Sequence, residues 1–530
     1  MKKKISILIS ILCVVCFVFV LASCDGADGS KPDGETGSGT EITYPEGTVS
    51  VDNGYKPNVP EDPSVDYSKA FVIEDNVVVG LTKYGRTLSK LVIPDGVTAI
   101  GDGAFACDDD DVFEGRCNLV SVEIPNSVTS IGNEAFYINI NLASVNLPDN
   151  LVSIGSWAFI GCVSLTELVI PNSVTSIGED AIMQCTSLVI KSKESNVSQE
   201  LESSLYWEDA NYKIPLVVNC LSNEVADDGY IYVVADNGVQ YALKDGIAKV
   251  TGHTYGASGD LKIASVVGYK GKTYVVKEVS DMAFLLDIDI TTVDISDDVT
   301  SIGEMAFADC MKITEVDLPD SLTYIGVNAF NDCASLTSVS IPSSVREIDE
   351  QAFAACEVMD SVVFEENSQL TIIGDGAFTF CSSLESIEIP SSVTTIEGSA
   401  FASSGLTSIK IPSGVTSIGD GAFSNCKALT NVEISSSVTS LGNGAFYQCS
   451  NLESVTFGEN SQLETIKSSA FFECEKLTSI VIPSSVISVG QTVFSGCNAL
   501  TVYCEAESQP SGWDNNWNST NCPVVWGYKK

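Results

Sequence analysis

Apolar and polar positions alternate on two scales along this chain. Within residues 477–497, LTSIVIPSSVISVGQTVFSGC, the apolar side chains are Leu477, Ile480, Ile482, Val486, Val489, Phe494 and Cys497, with Leu500 just beyond. Ile480 and Ile482 alternate with polar neighbours, which is the period of a strand with one buried face. Pro483 lacks an N–H and ends that strand. A second short extended piece runs from Val486 to Val489, and Gly490 then turns the chain, a position suited to positive φ. Beyond it the pattern predicts a short helical or 3₁₀ segment carrying Phe494.

The same string recurs. LTSVSIPSSVREIDEQAFAAC fills 336–356, and Phe284, Phe307, Phe330 and Phe353 stand at equal intervals of 23 residues. Phe378, Phe401, Phe423, Phe446, Phe471 and Phe494 continue the series, and Phe105, Phe136, Phe159 and Ile182 form an earlier one. Prolines mark the strand end in most copies, among them Pro125, Pro171, Pro342 and Pro412. A fixed period of this length predicts a solenoid, because one unit is too small to bury its own core and stacks on its neighbours. The expected fold is a leucine-rich-repeat-like repeat solenoid with short parallel β ladders and short helical or 3₁₀ turns, in two stacked blocks. Coils rise by about 4.8 Å in such a ladder, and the phenylalanines form one buried column.

The period divides the chain. Residues 67–190 are block one, with about four coils, and 269–500 are block two, with about ten. Residues 191–268 lie between them as a cap and inter-block region, where alternation around Asn237-Gly238 predicts a β hairpin. Residues 501–530 form the C-terminal cap, of which 188–220 reads as a degraded copy, with Trp207 matching Trp513. End caps cover ladders that are otherwise exposed.

The N-terminus changes the picture from fold to location. Lys2, Lys3 and Lys4 precede an apolar run from Ile5 to Val20, the pattern of a signal peptide over 1–23. It closes on Leu21-Ala22-Ser23-Cys24, similar to a bacterial lipobox, so Cys24 is the expected lipidation site. Residues 24–66, rich in Gly, Ser, Pro and acids, are expected to be a disordered acidic tether. The chain is therefore expected to be exported, anchored by lipid and displayed at the cell surface, with the membrane engaged only through the N-terminal lipid.

Charge and chemistry narrow the function. Seventy acidic against 27 basic residues give a net charge of −43, which repels nucleic acid. No cofactor, no metal and no catalytic group is expected: His253 is the only histidine and falls in a presumed solvated cap loop, and no C-x-x-C pair occurs beyond Cys13 and Cys16 in the apolar run of the signal peptide. Asp108 to Asp111 with Glu114 lie in an insertion and read as a solvated acidic bulge. Cysteines recur three residues after most of the repeat phenylalanines, as at Cys310, Cys333 and Cys356, while Asn139 and Ser404 hold the same place in two copies. Only a small buried group with hydrogen-bonding capacity explains all three types, so a ladder of free thiols is expected. Cys504 with Cys522, and Cys107 with Cys117, stand apart as possible disulfides.

The outward position between the two strand apolars is the candidate binding face. It holds Glu123, Asn146, Asp294, Asp317, Glu388 and Glu433, without an aromatic stack for sugars or bases. A flat acidic surface suits a protein partner carrying basic patches.

The recurring LxxIxIPxxVxxIGxxAFxxC pattern resembles the BspA-type leucine-rich repeat over about 80–190 and 260–500. The segment 269–284 is similar to the entry of such a block and 501–530 to its usual end. The resemblance implies a surface protein that binds or adheres to host matrix proteins, host cells or the surface of another bacterium, and no catalysis. An envelope carbohydrate-active enzyme and a passive surface scaffold are the alternatives.

Overall fold

The computed structural model describes residues 48–50, 64–107, 118–192, 206–207, 212–213, 216–217, 225–254 and 259–529. Cys24, Asp108 to Asp111, Glu114 and Cys117 lie outside the described residues. The chain is a parallel β-solenoid, as the period predicts. A typical coil contributes a two-residue strand to one ladder and a strand of three or four residues to a second. In block two the first ladder runs unbroken through Ser301–Ile302, Tyr324–Ile325, Glu347–Ile348, Ile372–Ile373 and onward to Ser488–Val489, all parallel and in register. Block one has its own ladder, from Val77–Leu81 to Ser176–Ile177.

The third side of each coil, which carries the Phe, is a run of turns and not the short helix or 3₁₀ segment expected. The reason is where its amides point. Asn328, Phe330 and Asp332 donate to the carbonyls of Glu350, Ala352 and Ala354 in the next coil, at 2.8–2.9 Å. Amides committed to the next coil are not available for helical bonds within their own. Alternation of this kind needs left-handed residues, and Asn328 (φ 54°) and Asp332 (φ 55°) flank Phe330 two positions away on each side.

The glycine of each coil has a different task from the one its sequence position implies. Gly442 and Gly490 do not adopt positive φ. A Cβ on Gly442 would lie 2.3 Å from the backbone carbon of Gly419 in the preceding coil, and one on Gly490 2.4 Å from the Ser468 nitrogen. Glycine is there for close approach of coil to coil.

The phenylalanine rings form the dry column. Successive rings from Phe284 to Phe494 stack nearly parallel, with centroids 5.0–5.7 Å apart. The spacing is 5.0–5.1 Å where Gly303 and Gly326 follow one another. It widens to 5.4 and 5.7 Å on the two sides of the coil in which Lys467 replaces the glycine. Leu336, Val339, Val345 and Ile348 pack around the rings, and the cores of the two blocks form separate clusters, Ala70–Ile190 and Ala235–Cys522.

Both ladders are capped. In block one the antiparallel strands Phe71–Glu74 and Val77–Leu81 turn through Asp75 and Asn76, both at positive φ, and Phe71 meets Phe105 edge-on at 6.3 Å. Block two begins with the antiparallel strands Ile231–Val234, Val239–Lys244 and Ile247–His253, the last of which runs parallel to Lys272–Val279. At the far end Val524–Trp526 covers Thr501–Cys504, and Trp517 stands edge-on to Phe494 at 6.0 Å. Leu216–Val217 covers Val189–Ser192 in the same parallel way at the end of block one.

Three expectations are corrected here. Thr48–Ser50, assigned to the tether, form a strand parallel to Val266–Gly268, because Val49 packs against the block-two core. His253 is not a solvated loop residue. It is 6% exposed, its ring stacks on Phe284 at 5.8 Å as the column's first plate, and Nδ1 stands 3.4 Å from Asp287 Oδ2. Its backbone amide donates to Ser187 Oγ at 3.0 Å, which ties the last coil of block one to the cap of block two. Cys504 and Cys522 are free, not bonded: Cys504 is buried in the strand Thr501–Cys504, and the Cys522 thiol donates to the Cys497 carbonyl at 3.4 Å. Cys107 is disulfide-bonded.

Truncating one plate of the column tests this account. Phe330→Ala should lower the unfolding free energy by about 3–5 kcal/mol, read as a shifted urea midpoint, because rings fixed above and below cannot close the cavity.

Candidate binding face

The longer strands form the second ladder, and the six candidate residues all project from it into solvent. Glu123 and Asn146 are direct neighbours, on Ser121–Glu123 and Ser144–Asn146. Asp294 and Asp317 are likewise adjacent, on Ile290–Ile295 and Glu315–Asp317. Glu433 lies between Lys410 and Thr456. Glu388 stands alone, in a stretch that forms no strand.

This face is less uniformly acidic than its single column of residues implies. Lys90 Nζ reaches Glu123 at 2.8 Å and Lys262 Nζ reaches Asp294 at 3.6 Å, each from the preceding coil, and Lys191 pairs with Glu167. The lysines were legible only once the coils were set in register. The hydroxyls are not free either. Thr314, Thr337 and Thr430 donate to the carbonyls of Thr291, Thr314 and Thr407 one coil back, at 2.9–3.2 Å, so they staple the solenoid.

Unlike the first ladder, this one is interrupted, and the interruptions follow the sequence. Where a coil ends its strand in Ile93, Ile124, Ile170, Ile295, Ile341, Ile411, Ile434 or Ile482, the next strand pairs with it. Where Leu147, Leu318, Phe364 or Phe457 takes that place, pairing with the next coil is lost; the coil of Ile389 departs from the rule, since it ends in Ile and still pairs with neither neighbour. β-Branched Ile fits the pleat between two coils, whereas Leu does so less well and Phe is too large. The coils of Phe364 and Phe457 also carry the insertions EENSQ and GENSQ, and span 25 residues from Phe to Phe (353 to 378 and 446 to 471).

The thiols form a separate, internal array. Cys333 Sγ donates to the Phe307 carbonyl at 3.3 Å, and Cys310, Cys356, Cys449 and Cys497 repeat the contact at 3.0–3.4 Å. Asn139 and Thr520 make the same bond to Phe105 and Phe494, at 2.8 and 3.2 Å. Burial pushes the Cys381 thiol up to about 12 and Cys426 to about 11, which keeps them protonated donors. No group of three or more His, Cys, Asp or Glu side chains among the described residues is arranged to hold a metal ion. No helix among them is long and apolar enough to cross a membrane.

Carboxyls are perturbed beside the Phe column, away from the ladder face. Asp309 is pushed up to about 7 by burial, with Asp332 on the next coil adding to it. Burial also raises Asp287, against the opposing pull of His253.

Repeat, caps and core together define a structural class, a leucine-rich-repeat solenoid with a striped exterior. A model of the BspA type leucine rich repeat region matches residues 109–207, 277–404 and 371–501, and the chain belongs to that family. No curated protein matches it. Among solved structures it is similar to a leucine rich cell surface protein from Faecalibacterium prausnitzii, with 27% identity over 56% of this chain and 95% of that one and a TM-score of 0.36. A leucine-rich repeat protein from Bacteroides capillosus is 29% identical over 25% of this chain and 98% of that one, with a TM-score of 0.24. One from Bacteroides ovatus is 24% identical over 52% and 88%, with a TM-score of 0.33.

Two outcomes follow from the buried groups. The ladder thiols should resist alkylation by iodoacetamide in the native chain and react together once it is unfolded in urea; rapid native labelling of Cys333 or Cys356 contradicts the arrangement. For Asp309 the folded state favours the proton, so its contribution to stability is complete below the ordinary value of 3.8 and is lost as pH rises through about 7. Asp309→Asn removes that loss, and its gain in melting temperature over the parent chain should grow between about pH 4 and about pH 8.

Proposed function

We propose that the chain is an exported, surface-displayed binding protein, held by lipid at Cys24, that engages extracellular proteins through its longer-strand ladder. The observation that carries this reading is the exposed row Glu123, Asn146, Asp294, Asp317, Glu388 and Glu433 on a rigid solenoid. These side chains lie outside the core and project from a backbone that the coils hold fixed, so a partner meets a preorganised surface. The net charge of −43 favours a partner with basic patches and speeds its encounter. Membership in the BspA type repeat family supports a repeat protein of this kind. Host matrix proteins, host cell-surface proteins and the surface of another bacterium are the proposed partners.

The test is affinity capture from extracellular protein preparations with residues 25–530, followed by Asp294→Lys with Asp317→Lys. The double variant should keep its melting temperature and lose the captured partner by about tenfold or more in affinity, with weaker binding of the parent chain at high salt. Capture that is indifferent to both changes overturns the face. Turnover of a glycan panel, abolished by a single carboxylate change, supports the enzyme alternative.

A further inference from the structure

Between Phe364 and Lys410 the longer ladder opens. Residues 384–390 occupy the place of a strand but pair with neither neighbour, Ser361–Phe364 on one side and Ser408–Ile411 on the other. The backbone N–H and C=O groups of 386–389 make no hydrogen bond among the described residues. Every other coil position of this ladder among the described residues belongs to a strand. Its origin lies on the N-terminal side, where Phe364 replaces Ile and the coil gains the EENSQ insertion. On the C-terminal side the coil is shortened, with 22 residues from Phe401 to Phe423, and its bonds from Gly405 N to Cys381 O at 3.1 Å and from Thr407 N to Glu385 O at 2.9 Å stop short of 386–389.

A cleft of about 530 Å³ lies at this opening, between 360–368 and 386–392. Its volume falls in the range of small ligand sites, roughly 300–1,000 Å³. Asp360, Glu365 and Glu388 line it, and no Lys, Arg or His does. Glu365 already accepts from the Ser343 amide at 2.9 Å, which fixes its carboxylate at the rim. Val363, 54% exposed, supplies an apolar contact. Ser392 Oγ is buried without a partner, as are Ser173 and Ser485 at the same place in their coils, whereas Ser344 and Ser437 donate to the Leu322 and Val415 carbonyls at 2.6 and 2.7 Å. The cleft therefore offers strand-like main-chain donors and acceptors, with negative charge around them.

We propose that this cleft is a binding site for an extended, lysine- or arginine-bearing segment of a partner protein. The segment lies along 386–389, exchanges main-chain hydrogen bonds with it, and sets its cations against Asp360 and Glu388. Recognition of this kind draws affinity from the backbone and selectivity from alternate side chains. The inference rests on the binding-face reading above and gives that face its most specific point.

The probe is a fluorescein-labelled peptide of alternating lysine and valine, added to the 25–530 chain. Hydrogen exchange should slow at 386–389 on addition, and anisotropy should report binding. Glu388→Gln and Asp360→Asn, which leave the core untouched, should together weaken the peptide by about tenfold or more, whereas Glu475→Lys, an exposed acid off the ladder, should not. An N-methylated peptide should bind more weakly than its parent. Unchanged exchange at 386–389, equal loss with Glu475→Lys, or equal binding of the N-methylated peptide overturns the site. Partner capture that depends on Asp294 and Asp317 while the peptide leaves 386–389 unprotected sinks the cleft and keeps the binding face. Protection by the peptide with no partner captured by the chain sinks the binding face instead.

Discussion

Everything in this molecule answers to the distance between one coil and the next. Coils are stitched to one another by the short ladder, by the alternating amides beside each phenylalanine and, wherever its strands pair, by the longer ladder, and the ring stack fills the space between. The spacing is a compromise. The ladders favour about 4.8 Å, whereas the rings stand 4.9 Å apart at their closest, between Phe136 and Phe159, and 5.7 Å apart between Phe471 and Phe494. Glycine without a Cβ admits the short spacing; the thiol reaching back to a phenylalanine carbonyl adds a second donor to an oxygen that already accepts from an amide of its own turn. A cysteine, an asparagine or a threonine serves there because the requirement is a short donor, not a redox group.

The column and both ladders were legible because they repeat. A side chain that must fill the same space in every coil leaves a period, and Phe, Cys and the strand isoleucines do so. What sequence reading missed acts only once or only between coils. His253 is a plate of the column, but it stands alone and carries no period, so nothing in its neighbourhood distinguished it from a loop residue. The glycine was placed correctly and explained wrongly, since positive φ and close approach leave the same letter in a sequence. The apolar spacing of the turn also fits a short helical or 3₁₀ segment, and the inter-coil bonds that forbid one are invisible in a single coil. Cys504 and Cys522 looked like a pair because both leave the ladder; each is instead buried beside its own strand or carbonyl.

The candidate face was legible as a column of outward residues, but the lysines that lean onto its acids were not. A column records what projects outward, not what leans across from the coil before. Lys90 and Lys262 neutralise part of Glu123 and Asp294 in this way, and the threonine hydroxyls turn inward to backbone carbonyls. Specificity on such a surface comes from where the repeat departs from itself. Exposed ion pairs contribute little to stability, so evolution is free to vary them.

The departures that matter most are those that alter spacing on one side only. The turn side and the short ladder continue without a gap past Phe364, so the solenoid does not kink or end there. The strain of a large ring and an added loop is therefore absorbed on the remaining side, where the longer strands separate. A solenoid bonded on three sides tolerates the loss of one ladder for a single coil, because its two remaining seams still fix the stack. That tolerance is what allows a chain built on uniform spacing to carry a local cavity, and to place Asp360 and Glu388 around open backbone without giving up its core.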